Sequence, residues 1–198
     1  MNRFGHSILS TVLCLFAIAV AASSARAQEL DTEETIPNRY VKDYVFLSAI
    51  PLEVQYGETK DLLETKTIGF GVKYAHRLES EWVVGLGFKR KPMIAKDNDR
   101  PISLLNFSTQ TQKIFRLYHP LYLLLGTEIS FVMPAQKSSP PFVKDPDFAT
   151  EVAAGINASL WWLTSRKGAV ELHLSRWKGT KTNKLQGLEV SVGYGIGF

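Results

Sequence analysis

The chain has 198 residues, of which 45% are hydrophobic and 21% charged, with one cysteine and a formal net charge of +4. A lone cysteine excludes a disulfide framework, and so small a charge excludes the footprint of a nucleic-acid-binding surface. Beyond the first 27 residues no segment is long and apolar enough to cross a bilayer as a helix, which takes about 20 apolar residues.

The N-terminus reads as an export signal over residues 1–27. Arg3 gives a positive start, Ile8 to Ala22 an apolar stretch, and Ala25-Arg26-Ala27 a small-residue cleavage site before Gln28. Cys14 lies inside the apolar stretch rather than at its end, so it reads as an apolar filler and not as a lipid-carrying cysteine. Residues 28–198 would then hold no cysteine and 21 basic against 19 acidic residues, a balance of +2. Residues 28–40, which include "QELDTEETIPNR", are acidic and polar and read as a leader to a domain over 41–198.

From there a period of two recurs, the signature of strands with one apolar face. Strand one, Tyr44 to Tyr56, places Tyr44, Phe46, Ile50, Leu52, Val54 and Tyr56 on one face, with Pro51 suited only to an edge or a bulge. Strand two sets Ile68, Phe70, Val72 and Tyr74 against Gly69, Gly71, Lys73 and Ala75. Strand three sets Trp82, Val84, Leu86 and Phe88 against Gly85, Gly87 and Lys89. Strand four, about Ile102 to Phe115, is the weakest, because "NFSTQTQK" alternates poorly. Strand five, Leu121 to Met133, opposes Leu121, Leu123, Leu125, Ile129 and Phe131 to Gly126, Glu128 and Ser130. Strand six, Thr150 to Leu163, opposes Val152, Ile156, Leu160 and Trp162 to Glu151, Gly155, Asn157 and Ser159. Strand seven, Ala169 to Trp177, opposes Val170, Leu172 and Leu174 to Glu171, His173 and Ser175. Strand eight is the closing "GLEVSVGYGIGF", with Leu188, Val190, Val192, Tyr194, Ile196 and Phe198 on one face.

The connections alternate between tight ("ESE", "LYHP", "SRKG") and long ("GETKDLLETK", "RKPMIAKDNDRP", "PAQKSSPPFVKDPDF", "KGTKTNKLQ"). Eight long strands with this rhythm predict an all-β, eight-stranded antiparallel up-and-down transmembrane β-barrel, with short periplasmic turns, longer external loops and both mature termini in the periplasm. Tyr44, Tyr56, Tyr74, Trp82, Trp162, Tyr194 and Phe198 lie near strand ends, where aromatic girdles form.

On these hairpins, on "GFGVKYAHRLESEWVVGLGF" and on the C-terminal phenylalanine, the sequence resembles the small eight-stranded outer-membrane barrels of the outer membrane protein A and X type. The resemblance implies that the last strand is read by the barrel-assembly machinery and that the protein resides in the bacterial outer membrane.

The inner face is expected to hold Glu53, Lys73, Arg77, Lys89, Glu128, Glu151, Glu171, His173 and Glu189, a set that would pair and plug the lumen. A narrow pore is the competing use of the same residues. "ELHLSRW" carries His173 and Ser175, and Gly187-Leu188-Glu189 follows on the next strand. Serine, histidine and a carboxylate are the parts of an acyl-transfer site. The set is similar to that of the lipid A 3-O-deacylase family, which implies catalysis by Ser175, His173 and Glu189 on the outer-leaflet lipid. Two features depart from that family: Arg176 follows the serine where asparagine is usual, and the parity of all three residues points inward.

Arg176, Lys178, Lys181 and Lys184 in "SRWKGTKTNK" are candidate contacts to lipopolysaccharide phosphates. No metal-spacing cluster or phosphate-binding glycine loop occurs, so no cofactor or metal is expected. The expected partners are outer-membrane lipid and lipopolysaccharide, and the assembly machinery during biogenesis; the expected state is a monomer. The leading function is non-enzymatic, stabilising the envelope or binding lipopolysaccharide or a surface partner through the external loops. The lipid A ester hydrolase is the alternative and a narrow channel the further one.

Overall fold

The computed structural model describes residues 41–56, 63–65, 68–78, 81–96, 100–136, 150–180 and 186–198. The expected signal and leader, residues 1–40, lie outside these, as do most of the long connections.

The strands are β1 (Asp43–Gln55), β2 (Leu63–Thr65), β3 (Gly69–Arg77), β4 (Trp82–Ala95), β5 (Arg100–Tyr118), β6 (Leu121–Gln136), β7 (Glu151–Leu163), β8 (Gly168–Gly179) and β9 (Gln186–Gly197). All pairings are antiparallel, and the ring closes through β1 with β9 and β4 with β5. Eight strands make the closed wall; β2 is a three-residue addition that pairs only with β4. Closure leaves no free edge along the wall.

Tight turns gather at one end. Leu78 N donates to Trp82 O at 2.8 Å, and Glu81 takes a left-handed backbone (φ 61°), an unusual conformation for a side chain with a Cβ. His119 and Pro120 turn β5 into β6. Ser165 Oγ accepts from Gly168 N at 2.8 Å where β7 meets β8. β1 begins and β9 finishes at this turn end, where Phe198 N donates to Asp43 O at 3.0 Å. The other strand ends, Gln55, Ala95, Arg100, Gln136, Glu151, Gly179 and Gln186, lie at the opposite, loop end.

The outward rows of the sequence reading hold on β3, β4, β6, β7, β8 and β9. Two corrections apply. Tyr44, Phe46 and Ile50 face inward and are buried, whereas Leu52, Val54 and Tyr56 face outward. The register of β1 on β9 shifts between Ala49 and Leu52, so an extra residue beside Pro51 reverses the facing of everything after it. Tyr44 therefore fills the lumen and does not join the outer aromatics. The second correction concerns "RKPMIAKDNDRP": β4 runs to Ala95 and β5 starts at Arg100, so most of that connection is strand.

The lumen is layered. At the turn end Val41, Tyr44, Phe46, Ala75, Val83, Tyr122, Leu124, Trp161 and Ala169 form one apolar cluster. At the loop end Leu63, Met93, Ile102, Leu104, Val132, Ala153 and Trp177 form another. Most of the buried charged and amide residues lie between them. Glycine on β9 permits the lower seal: a Cβ on Gly195 would collide with the Phe46 ring, and one on Gly197 would come within 2.9 Å of the Tyr44 ring. That is the physical reason for the small inner face of the last strand.

Candidate functional site

Alternation on β1, β3, β4, β6, β8 and β9 brings seven charged side chains into one buried layer. Lys73 on β3 pairs with Glu171 on β8, which also accepts from Trp161 Nε1 at 2.9 Å. Lys89 Nζ lies 2.8 Å from Glu189 and 3.7 Å from Glu128. Lys91 Nζ lies 2.7 Å from the other oxygen of Glu189 and 3.1 Å from Glu53. Three lysines thus face four glutamates, with Glu189 as the hub between two ammonium groups. A small cavity of about 20 Å³ beside Lys73, Lys89, Glu171 and His173 has room for about one water molecule.

Ser175 pairs in register with Glu189, and His173 with Ser191, so the hairpin does bring the three candidate catalytic residues together. Their bonds, however, run elsewhere. The Ser175 hydroxyl donates to Glu128 Oε2 at 3.3 Å. His173 Nδ1 meets Ser159 Oγ at 2.8 Å, and its Nε2 is 3.9 Å from Glu128. Glu189 is held by the two lysines. His173 is 3% exposed and Ser175 and Glu189 are 0% exposed. The deacylase resemblance implies groups that face lipid, and here all three face the sealed lumen.

Arg176 and Lys178 stand on the outer face of β8, exposed and close to the loop end. Arg176 is flanked in register by Ile156 and Leu188, and Lys178 by Ala154 and Gln186. Lys181 and Lys184 lie outside the described residues. Lys91 is the main lumen residue beyond the expected set, since it falls in "RKPMIAKDNDRP", which reads as a connection. Carrying the alternation of Gly87 and Lys89 onward through Pro92 to Met93 would have placed it inside.

The outer wall is apolar, with Leu47 and Ile156 each 65% exposed and Phe70, Leu86, Ile129 and Phe131 also projecting. No protein-family model matches the chain, and no curated sequence is similar to it. Among solved structures, Neisserial surface protein A superposes with a TM-score of 0.59 at 12% identity, over 79% of this chain and 97% of that one. Outer membrane protein W of E. coli superposes with a TM-score of 0.51 at 11% identity, over 81% of this chain and all (100%) of that one. The fold is that of the small eight-stranded outer-membrane barrels.

Within this class of barrel an apolar outside and a polar inside have a common cause: lipid solvates neither charges nor unpaired backbone, so both are turned inward or into the ladder. The identities are low enough that the likeness carries architecture and not activity.

Proposed function

We propose that the protein is a non-enzymatic component of the bacterial outer membrane, with its turn end in the periplasm and its loop end outside. It engages lipopolysaccharide at the outer surface through the β8–β9 side. The observation that carries this reading is the combination of a filled, ion-paired lumen with an outer wall that is apolar up to exposed cations. A filled lumen leaves the outside of the barrel as its working surface. Arg176 and Lys178 have no ion-pair partner among the described residues, and Arg176 rises from apolar neighbours, the setting in which a phosphate contact gains most. Lys181 and Lys184 follow them in the sequence. The barrel works as a monomer and reaches the membrane through the assembly machinery that reads its last strand.

Two measurements test this. The protein should float with lipopolysaccharide vesicles, and Arg176→Gln with Lys178→Gln should reduce retention several-fold at low salt, with the difference shrinking as salt rises. Equal retention of variant and wild type would refute the contact. For the alternative of lipid A ester hydrolysis, mass spectrometry of lipid A from cells making wild type or Ser175→Ala should give the same acyl pattern. An acyl chain lost with wild type alone would make the protein an esterase and require Ser175 to leave the lumen.

A further inference from the structure

A second cation stands across the barrel from the β8 pair. Arg90 is exposed on the outer face of β4, in the row that begins with Trp82 and continues through Val84, Leu86 and Phe88. β4 and β8 are four strands apart in a ring of eight, so Arg90 and Arg176 are on opposite sides. Their heights match. Both strands rise from turns at the same end, and Arg90 is eight residues beyond Trp82 as Arg176 is eight beyond Gly168. At about 3.3 Å per residue and a tilt near 40°, each stands about 20 Å above the turns, within a long side chain's reach of the upper edge of an apolar band about 25 Å tall.

Arg90 is bedded on apolar groups. Phe70 on β3 and Leu105 on β5 are its partners in register, and the Phe88 and Phe107 rings pack 4.8 Å apart one step below. No carboxylate pairs with it among the described residues. An unpaired guanidinium at the edge of an apolar wall suits a ligand with a phosphate above and acyl chains below.

We propose that Arg90 forms a second, independent site for a phosphorylated outer-leaflet glycolipid, so that one barrel holds such a lipid on each of two opposite faces. This rests on the membrane placement proposed above. Its position at the loop end selects the outer leaflet, and hence a lipid A phosphate over a phospholipid.

The test is native mass spectrometry of the refolded barrel released from detergent containing bisphosphorylated lipid A. Wild type should retain two lipids. Arg90→Gln should retain one, Arg176→Gln with Lys178→Gln should also retain one, and the three together none. Two lipids on Arg90→Gln would overturn the site, as would equal retention of dephosphorylated lipid A. Equal retention of phosphatidylglycerol would overturn the glycolipid as its occupant. Heat-modifiable gel mobility, read on every sample, separates the two levels: wild type without it would refute the barrel placement itself, whereas a heat-modifiable Arg90→Gln barrel that still holds two lipids would refute this site alone.

Discussion

Replacing Glu189 with glutamine is expected to destabilise the barrel by about 3–5 kcal/mol, the usual cost of leaving a buried charge without its partner. Glu189 is fully buried and bridges Lys89 at 2.8 Å and Lys91 at 2.7 Å. In the variant Lys91 would keep only Glu53, and Lys89 only Glu128 at 3.7 Å. Two ammonium groups deep in the lumen would then share less negative charge. The measurement is the urea midpoint of the barrel refolded into lipid vesicles. Adding Lys91→Met to Glu189→Gln should recover part of the loss, because it removes one of the stranded cations while keeping most of the side-chain volume. A midpoint for Glu189→Gln within about 0.5 kcal/mol of wild type, the range of an ordinary surface substitution, would show that the pairs contribute little to holding the lumen closed.

The outer wall was legible because the outside of this class of barrel follows a simple rule. Most outward residues are apolar, so period two survives on β3, β4, β6, β7, β8 and β9, and the inward charges follow by parity. The lumen obeys a looser rule, since it accepts any group that packs or pairs. Tyr44 and Phe46 show the consequence: apolar residues on β1 read as lipid-facing, yet they fill the end of the barrel. The bulge beside Pro51 then reversed the facing, and proline signalled a break without saying which side of it faced in. The weak alternation of β5 has a similar origin. Asn106, Ser108, Gln110 and Gln112 are buried in the lumen, while Thr109 and Thr111 on the other face are also polar. The candidate site was half legible. The register of Ser175 on Glu189 followed from the hairpin. Which partners those groups took did not, because Glu128, Lys89 and Lys91 come from strands far away in sequence.

The second large effect is expected at the turn-end seal. Trp161 is buried against both Tyr44 and Phe46, with ring centroids 5.3 and 5.0 Å away, and its indole N–H donates to Glu171. The Lys73 ammonium lies 5.7 Å from the same ring. Trp161→Ala therefore removes a large buried side chain, opens a cavity and deprives Glu171 of a donor. A loss of about 3–5 kcal/mol is expected, read again as a urea midpoint. Trp161→Phe separates the two contributions: it keeps most of the packing, so it should cost about 1.5–3 kcal/mol, the value of one hydrogen bond to a charged group. Amide exchange in the first turn-end residues of β8 should speed up in Trp161→Ala and much less in Trp161→Phe. Neither variant should produce conductance steps in planar bilayers, because the cluster of Met93, Ile102, Leu104 and Trp177 still blocks the loop end. Steps in wild type would contradict the layered plug, and steps that appear only in Trp161→Ala would show that the turn-end aromatics alone keep the lumen closed.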